Sequence, residues 1–71
     1  MHVGQLQLDS NERLQLAERD ISCGDVLAVL IVDERDSSPR WLETRVEHNG
    51  ESYYLIGLSR YNPVGLFARM K

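Results

Sequence analysis

The sequence predicts an all-β fold, and three observations lead to that prediction. The dipeptide Asn49-Gly50 separates two runs rich in aromatic and β-branched residues, and a two-residue hairpin turn favours this dipeptide because both central residues need positive φ. Val26 to Val32 is a continuous apolar run bounded by turn residues, as in a central strand. Turn-prone segments recur at roughly 8–12 residues. Because barrel closure removes exposed sheet edges, we expect an SH3-like barrel of five or six short antiparallel strands.

The hairpin around Asn49-Gly50 has a register that follows from its turn. A two-residue turn places His48 opposite Glu51, Val46 opposite Tyr53 and Thr44 opposite Leu55. Side chains alternate across a strand. The mostly apolar face is therefore predicted to point to the interior, and it consists of Leu42, Thr44, Val46, Tyr53 and Leu55. The mixed face points outward with Trp41 and Arg45, and the same register places Tyr54 opposite Arg45.

A Leu-Gln-Leu triplet occurs twice near the amino terminus, on either side of the turn-prone segment Asp9-Ser10-Asn11-Glu12. Leucine that alternates with polar residues around a turn favours a hairpin. The alternative for residues 9–19 is a short helix, because Asp9 with Glu12 resembles a capping box and Leu14, Ala17 and Ile21 fall at helical spacing. We favour the hairpin and keep the helix as the alternative.

The remaining segments continue the pattern of short apolar runs between polar loops. Cys23-Gly24-Asp25 is predicted to form a turn, with Cys23 as a small buried hydrophobic residue. The strand from Val26 to Val32 is expected to be covered on both faces. Residues 33–39 and 59–63 are predicted loops, and residues 65–70 the last strand.

Composition is consistent with a single domain over residues 1–71. The chain is 42% hydrophobic and 27% charged, enough for one small core. Its longest apolar run is far shorter than the roughly 20 residues of a membrane span, and Met1-His2-Val3-Gly4 lacks the features of a signal peptide. The single cysteine is typical of a reducing compartment. We therefore predict a cytoplasmic protein.

No residue pattern predicts catalysis or a cofactor. The chain has two histidines, His2 and His48, far apart in sequence and one cysteine, which excludes the usual spacing of zinc ligands. His48 stands beside the hairpin turn without an evident orienting partner. The glycines are scattered singly, so no phosphate-binding loop is present. We expect a non-enzymatic protein without a metal or cofactor.

Trp41 is the strongest candidate for a binding residue. Burying a tryptophan removes roughly 150–250 Å² from water, on the order of 4–6 kcal/mol, so such a residue is seldom left bare. Three positions remain open: the core under the amino-terminal hairpin, a homodimer interface, or contact with a partner. Arg45 and Tyr54 are expected beside Trp41, and Tyr61 lies in an aromatic loop. These four residues predict a protein-interaction module whose partner is another protein, the chain itself being a monomer or weak homodimer.

Two other functions are kept as alternatives. In a nucleic-acid accessory module, the same aromatic residues would stack on bases and five arginines would contact phosphates, namely Arg35, Arg40, Arg45, Arg60 and Arg69. A net charge of −3 and a pI near 5.2 oppose binding to a polyanion. In an acidic inhibitor that occupies a nucleic-acid channel of another protein, Asp33, Glu34 and Asp36 would supply the charge, although such carboxylates ordinarily keep a loop solvated.

The chain resembles a family of short bacterial proteins of unknown function, some of which are carried on mobile elements. The residues that carry the resemblance are Gly4 and Leu6, Cys23-Gly24-Asp25, Trp41-Leu42-x-Thr44-Arg45-Val46-Glu47, Tyr53-Tyr54-Leu55, Gly57, and Gly65-Leu66-x-Ala68-Arg69. This resemblance implies a β-rich single domain and no particular activity. Trp41 and Tyr61-Asn62-Pro63-Val64 also look like the aromatic surface of SH3 domains that binds proline-rich peptides, although fold does not determine function.

Overall fold

All regular structure in the described part of the chain is β-strand. The computed structural model describes residues 1–33 and 36–71, and these contain eight strands and no helix. The strands are β1 (His2–Gln5), β2 (Gln7–Leu8), β3 (Leu14–Leu16), β4 (Arg19–Asp20), β5 (Val26–Asp33), β6 (Asp36–His48), β7 (Tyr53–Leu55) and β8 (Phe67–Met70). The predicted all-β class is confirmed.

Two antiparallel sheets share one core. The larger sheet has the strand order β1-β8-β5-β6-β7, and the smaller has the order β2-β3-β4. The fold is compact and barrel-like, but the two sheets do not close into one continuous barrel. The strand count exceeds the expected five or six because β2 and β4, of two residues each, are too short to be recognised in the sequence.

The core lies between the inner face of the larger sheet and the smaller sheet. Its buried apolar residues are Leu6, Leu14, Leu16, Ile21, Leu27, Val29, Ile31, Val46, Leu55 and Ala68. The first four come from the amino-terminal segment and the others from the larger sheet. Strand alternation places every second residue of β5 and β6 in this layer.

The amino-terminal segment forms the predicted hairpin, and the helix alternative is wrong. Gln7 pairs with Gln15 and Leu8 with Leu14. Asp9 acts within a turn rather than as a helix cap, since its Oδ1 accepts hydrogen bonds from the backbone N–H groups of Asn11 (2.7 Å) and Arg13 (2.9 Å).

A second hairpin follows directly, and the sequence gives no signal for it. Leu16 pairs with Arg19 across a two-residue turn formed by Ala17 (φ 51°) and Glu18 (φ 68°). Two consecutive residues with positive φ are what a type I′ turn requires, and the residues usually found there are Asn and Gly. The turn therefore forms despite an unfavourable sequence.

The hairpin of β6 and β7 is present, but its predicted register is wrong by two residues. Val46 pairs with Leu55 and His48 with Tyr53, instead of Val46 with Tyr53. The loop has four residues because Asn49 closes it with its own side chain: Oδ1 accepts hydrogen bonds from the N–H groups of Glu51 (2.9 Å) and Ser52 (3.0 Å).

A shift of two residues leaves each side chain on the face that the sequence predicted. Thr44, Val46 and Leu55 are buried, while Leu42 and Tyr53 are half-buried against the core. The Thr44 hydroxyl donates a hydrogen bond of 2.7 Å to the carbonyl oxygen of Ile56. The inward face of this hairpin is therefore the predicted one.

Much of the predicted polar loop over residues 33–39 is strand. β5 continues to Asp33 and β6 begins at Asp36, so the loop prediction is wrong for these parts, while Glu34 and Arg35 lie outside the described residues. The ladder is irregular between Ile31 and Asp33, and Ile31 pairs with Arg40. Pro39 lies in the interrupted stretch, where its missing N–H would break a regular ladder.

Cys23 is exposed, so its predicted burial is wrong. The turn at residues 23–25 is confirmed, and it joins the sheet through its backbone: the Gly24 N–H donates to the Val46 carbonyl oxygen (2.8 Å), and the Val46 N–H donates to the Asp25 carbonyl oxygen (3.0 Å). With Gly24 at φ 92°, the turn is fixed by backbone contacts and does not need the cysteine side chain in the core.

We expect the double substitution Ala17→Asn with Glu18→Gly to raise the free energy of unfolding by about 1–2 kcal/mol, because both new residues tolerate positive φ. Urea denaturation followed by far-ultraviolet circular dichroism measures the change. Glu51→Gly is the matched control, since Glu51 is not among the residues with positive φ, and it is expected to be neutral or destabilising. Unchanged or lower stability of the double variant would show that the native residues of the Ala17-Glu18 turn cause no strain.

We expect Thr44→Val to lower the free energy of unfolding by about 1 kcal/mol, because it removes the hydroxyl donor from the Ile56 carbonyl at nearly constant volume. The same denaturation experiment measures this loss. Thr44→Ser keeps the donor, and hydrogen exchange of the amides near Ile56 should be faster in the valine variant than in the serine variant. Equal exchange in both would show that the hydrogen bond does not hold β7 in place.

Candidate functional site

The central strand β5 is covered on one face only, so the prediction that both faces are covered is wrong. Leu27, Val29 and Ile31 are buried, whereas Val26 is 53% and Val32 61% exposed. An apolar strand without alternation is expected where both faces are covered. The face of the larger sheet that points away from the core therefore exposes apolar side chains where a solvent-facing strand ordinarily has polar ones.

This outer face is formed by the outward side chains of β1, β8, β5 and β6. One cross-strand row runs through Val3, Arg69, Ala28 and Glu43. The neighbouring row contains Gln5 and Phe67 at one end and Leu30 and Trp41 at the other. Val3, Phe67 and Trp41 are exposed, and Ala28 and Leu30 are half-buried. We use the name outer face for these residues together with Val26 and Arg45.

Trp41 lies on the outer face and not in the core, so the core position considered for it is wrong. It is 37% exposed, and the guanidinium carbon of Arg69 lies 4.3 Å from the centroid of its ring. This distance is within the range of a cation–π contact. Arg69 therefore covers part of the indole and restrains its orientation, while the rest of the ring remains accessible to another molecule.

Phe67 and Arg69 also belong to this surface. The sequence did not indicate Phe67, and it indicated Arg69 only as a phosphate contact in the nucleic-acid alternative. Alternation within the predicted last strand places the two on one face. Their position next to Trp41 depends on β8 pairing with β5, between residues about forty positions apart in sequence. No local pattern carries that information.

The other three predicted site residues are arranged differently from the expectation. Arg45 shares the outward side of β6 with Trp41 at a distance of roughly 13 Å along the strand, and its Nε lies 3.7 Å from the Glu47 carboxylate. Tyr54 is opposite Glu47, so its predicted pairing with Arg45 is wrong. Tyr61 is half-buried against the core. The structure therefore brings Trp41 and Arg45 to one face and places Tyr61 elsewhere.

Two shallow grooves open on the outer face. The larger has a volume of about 520 Å³, and its walls include Val26, Ala28, Glu43 and Arg69. The second, of about 300 Å³, lies between Val26, Arg45 and Ile56. Apolar walls with a few charged groups at the margin are typical of protein-binding surfaces. The outer face thus combines exposed apolar side chains with two grooves that a partner could fill.

The described residues contain no group of three or more His, Cys, Asp or Glu side chains arranged to hold a metal ion. Within residues 1–33 and 36–71, no helix is long and apolar enough to span a membrane. Every buried side-chain nitrogen or oxygen in this part of the chain has a hydrogen-bond partner.

A family model described as a domain of unknown function, DUF5348, matches residues 4–70. The chain belongs to the DUF5348 family. The match includes the described strands apart from the first two residues of β1, and with them Trp41, Phe67 and Arg69. It agrees with the resemblance to an uncharacterised family. No curated protein and no solved structure in the comparisons matches the chain.

We expect Trp41→Ala to leave the domain folded, with a loss of about 1–2 kcal/mol in the free energy of unfolding, because the indole is partly exposed on the outer face and contacts Arg69 there. Leu16→Ala should cost about 2–5 kcal/mol, because Leu16 is fully buried. Thermal unfolding followed by circular dichroism compares the two. Equal losses of stability in the two variants would show that Trp41 contributes to the core as Leu16 does.

Proposed function

We propose that this chain is a non-catalytic protein-interaction module that binds another protein through the outer face. The observation that carries the proposal is Trp41, which lies beside the uncovered side of β5 with the Arg69 guanidinium 4.3 Å from its ring centroid. Tryptophan and arginine are the residues that most often dominate interface energies. As part of the same proposal, the module acts in the cytoplasm, in agreement with its single cysteine.

The arrangement of Arg69 favours binding because its guanidinium already lies against the Trp41 ring. A flexible side chain that becomes fixed on association costs about 0.5–1.5 kcal/mol. The contact with Trp41 restrains the guanidinium before any partner arrives, so less of this cost remains. The apolar side chains of Val3, Val26 and Phe67 around this pair are exposed, and their burial would supply the hydrophobic contribution.

The charges of the outer face indicate the chemistry of the partner. No carboxylate of the described residues lies within 4 Å of Arg69. A carboxylate on the partner could therefore approach the guanidinium from the larger groove, while an apolar segment covers Trp41 and Phe67. The expected partner surface is thus apolar with an acidic residue at its margin.

The same geometry does not favour nucleic acid. Glu43 lies between Trp41 and Arg45 on β6, and Arg45 is already near Glu47. A net charge of −3 adds long-range repulsion of phosphates. The acidic-inhibitor alternative depends on Asp33, Glu34 and Asp36, of which Glu34 lies outside the described residues, and the association with bacterial mobile elements stays a prediction.

The proposal is tested by identifying a partner and then measuring the binary affinity. Tagged protein is passed through an extract of the source cells, a specifically retained protein is purified, and its binding is measured by titration calorimetry. We expect Trp41→Ala to weaken binding at least tenfold and Arg69→Gln about fivefold. Arg13→Gln, an exposed arginine in the amino-terminal hairpin near Asp20, is the matched control and should bind like wild type.

Three outcomes would contradict the proposal. Equal binding by wild type and Trp41→Ala would exclude the outer face. Recovery of nucleic acid instead of protein, with release by salt, would support the nucleic-acid alternative. A dimer in sedimentation experiments that dissociates in Trp41→Ala would show that a second copy of the chain, rather than a different protein, covers this face.

A further inference from the structure

A separate cavity of about 260 Å³ opens at one end of the molecule, where the β2–β3 hairpin, the loop between β6 and β7, and the segment before β8 meet. Its walls include Leu8, Glu12, His48, Glu51, Tyr53 and Val64, and we call it the loop-end pocket. His48 is seven residues further along β6 than Trp41, roughly 23 Å, and its side chain lies on the opposite side of the strand. The pocket is therefore independent of the outer face.

We infer that the loop-end pocket binds the side chain of a lysine or arginine from another protein. Its volume is below the roughly 300–1,000 Å³ of typical small-molecule sites, and it suits one long side chain. The inference goes beyond the proposed function, because it assigns a second contact with its own chemistry on a different part of the molecule.

Charge complementarity favours a cationic occupant. Glu12 and Glu51 contribute two carboxylates, and no lysine or arginine is among the described residues that line the pocket. Both glutamates stand on turns with defined backbone contacts: the Glu12 N–H donates to the Asp9 carbonyl oxygen (3.0 Å) and the Glu51 N–H to Asn49 Oδ1 (2.9 Å). These bonds hold the two turns in place, so a cation that meets the glutamates does not require the backbone of either turn to become ordered first.

Two aromatic rings form a further part of the wall and support each other. The rings of His48 and Tyr53 meet edge to face, with centroids 4.8 Å apart and an interplanar angle of 81°. His48 is held in addition by its Nδ1, which accepts a hydrogen bond of 3.0 Å from the Gly50 N–H. The face of a tyrosine ring attracts ammonium and guanidinium groups, so Tyr53 adds to the attraction for a cation.

The apolar part of the pocket explains why a long side chain fits better than a free metal cation. Leu8 is 45% and Val64 39% exposed, and both line the cavity. Lysine and arginine combine a methylene stem with a charged end, so the stem can lie against these two residues while the cation meets the glutamates. A hydrated metal ion would gain nothing from the apolar wall.

The test uses N-acetyl-arginine methylamide and N-acetyl-lysine methylamide as probes in titrations followed by amide NMR spectra. We expect the resonances of Gly50, Ser52 and Val64 to shift, with dissociation constants on the order of millimolar, as befits one side chain. N-acetyl-norleucine methylamide has a similar stem without charge and should cause no saturable shift. Glu12→Gln and Glu51→Gln should each weaken binding of the cationic probes about threefold.

Glu18→Gln is the matched control, since Glu18 is an exposed glutamate in the Ala17-Glu18 turn outside this pocket. It should bind the probes like wild type, and unchanged spectra elsewhere would show that the variants remain folded. The inference is overturned if the cationic probes shift no resonance of the pocket, if norleucine binds equally well, or if Glu18→Gln weakens binding as much as Glu51→Gln. Because Trp41 is not involved, these outcomes are separate from those of the proposed function.

Discussion

The amino-terminal segment packs four buried side chains against the inner face of the larger sheet, namely Leu6, Leu14, Leu16 and Ile21. The rest of the molecule depends on this single layer of contacts. The amino-terminal segment covers one face of the larger sheet, and among the described residues Val26 and Phe67 stay exposed on the other face. Val29 and Val46 lie inside for this reason, and Val26 and Trp41 lie outside. The outer face is thus the side of the larger sheet that this layer leaves uncovered, and it is apolar because the β5 sequence is apolar on both sides.

Alternation along strands is the part of the fold that could be predicted from the sequence, because it needs only local information. Thr44, Val46 and Leu55 were placed correctly even though the register was wrong, since the error was an even number of residues. The register itself depends on the Asn49 side chain, which closes a four-residue loop instead of occupying a two-residue turn. Ala17 and Glu18 form a turn with two residues of positive φ, although neither residue type predicts one. The burial of Leu14 and Leu16 outweighs the preference of these two residues for negative φ.

The candidate site was only partly predictable, because it depends on which strands become neighbours. Trp41 and Arg45 follow from strand alternation alone. Arg69 joins Trp41 only through the pairing of β8 with β5, and the pocket beside His48 requires three loops from different parts of the chain to meet. Cys23 was placed wrongly for a different reason. Cysteine is buried on average, but Cys23 stands in a turn that backbone hydrogen bonds hold in place, and its side chain is exposed.

The position of Trp41 has one more consequence, which concerns how the molecule can be observed. It is the only tryptophan of the chain, and it lies outside the hydrophobic core beneath a guanidinium group. Its intrinsic fluorescence therefore reports on the outer face and on the stacking of Arg69 rather than on core packing. Binding of a partner at this face can therefore change the emission while the fold is unaltered. Conversely, the emission can stay nearly constant while the smaller sheet unfolds locally.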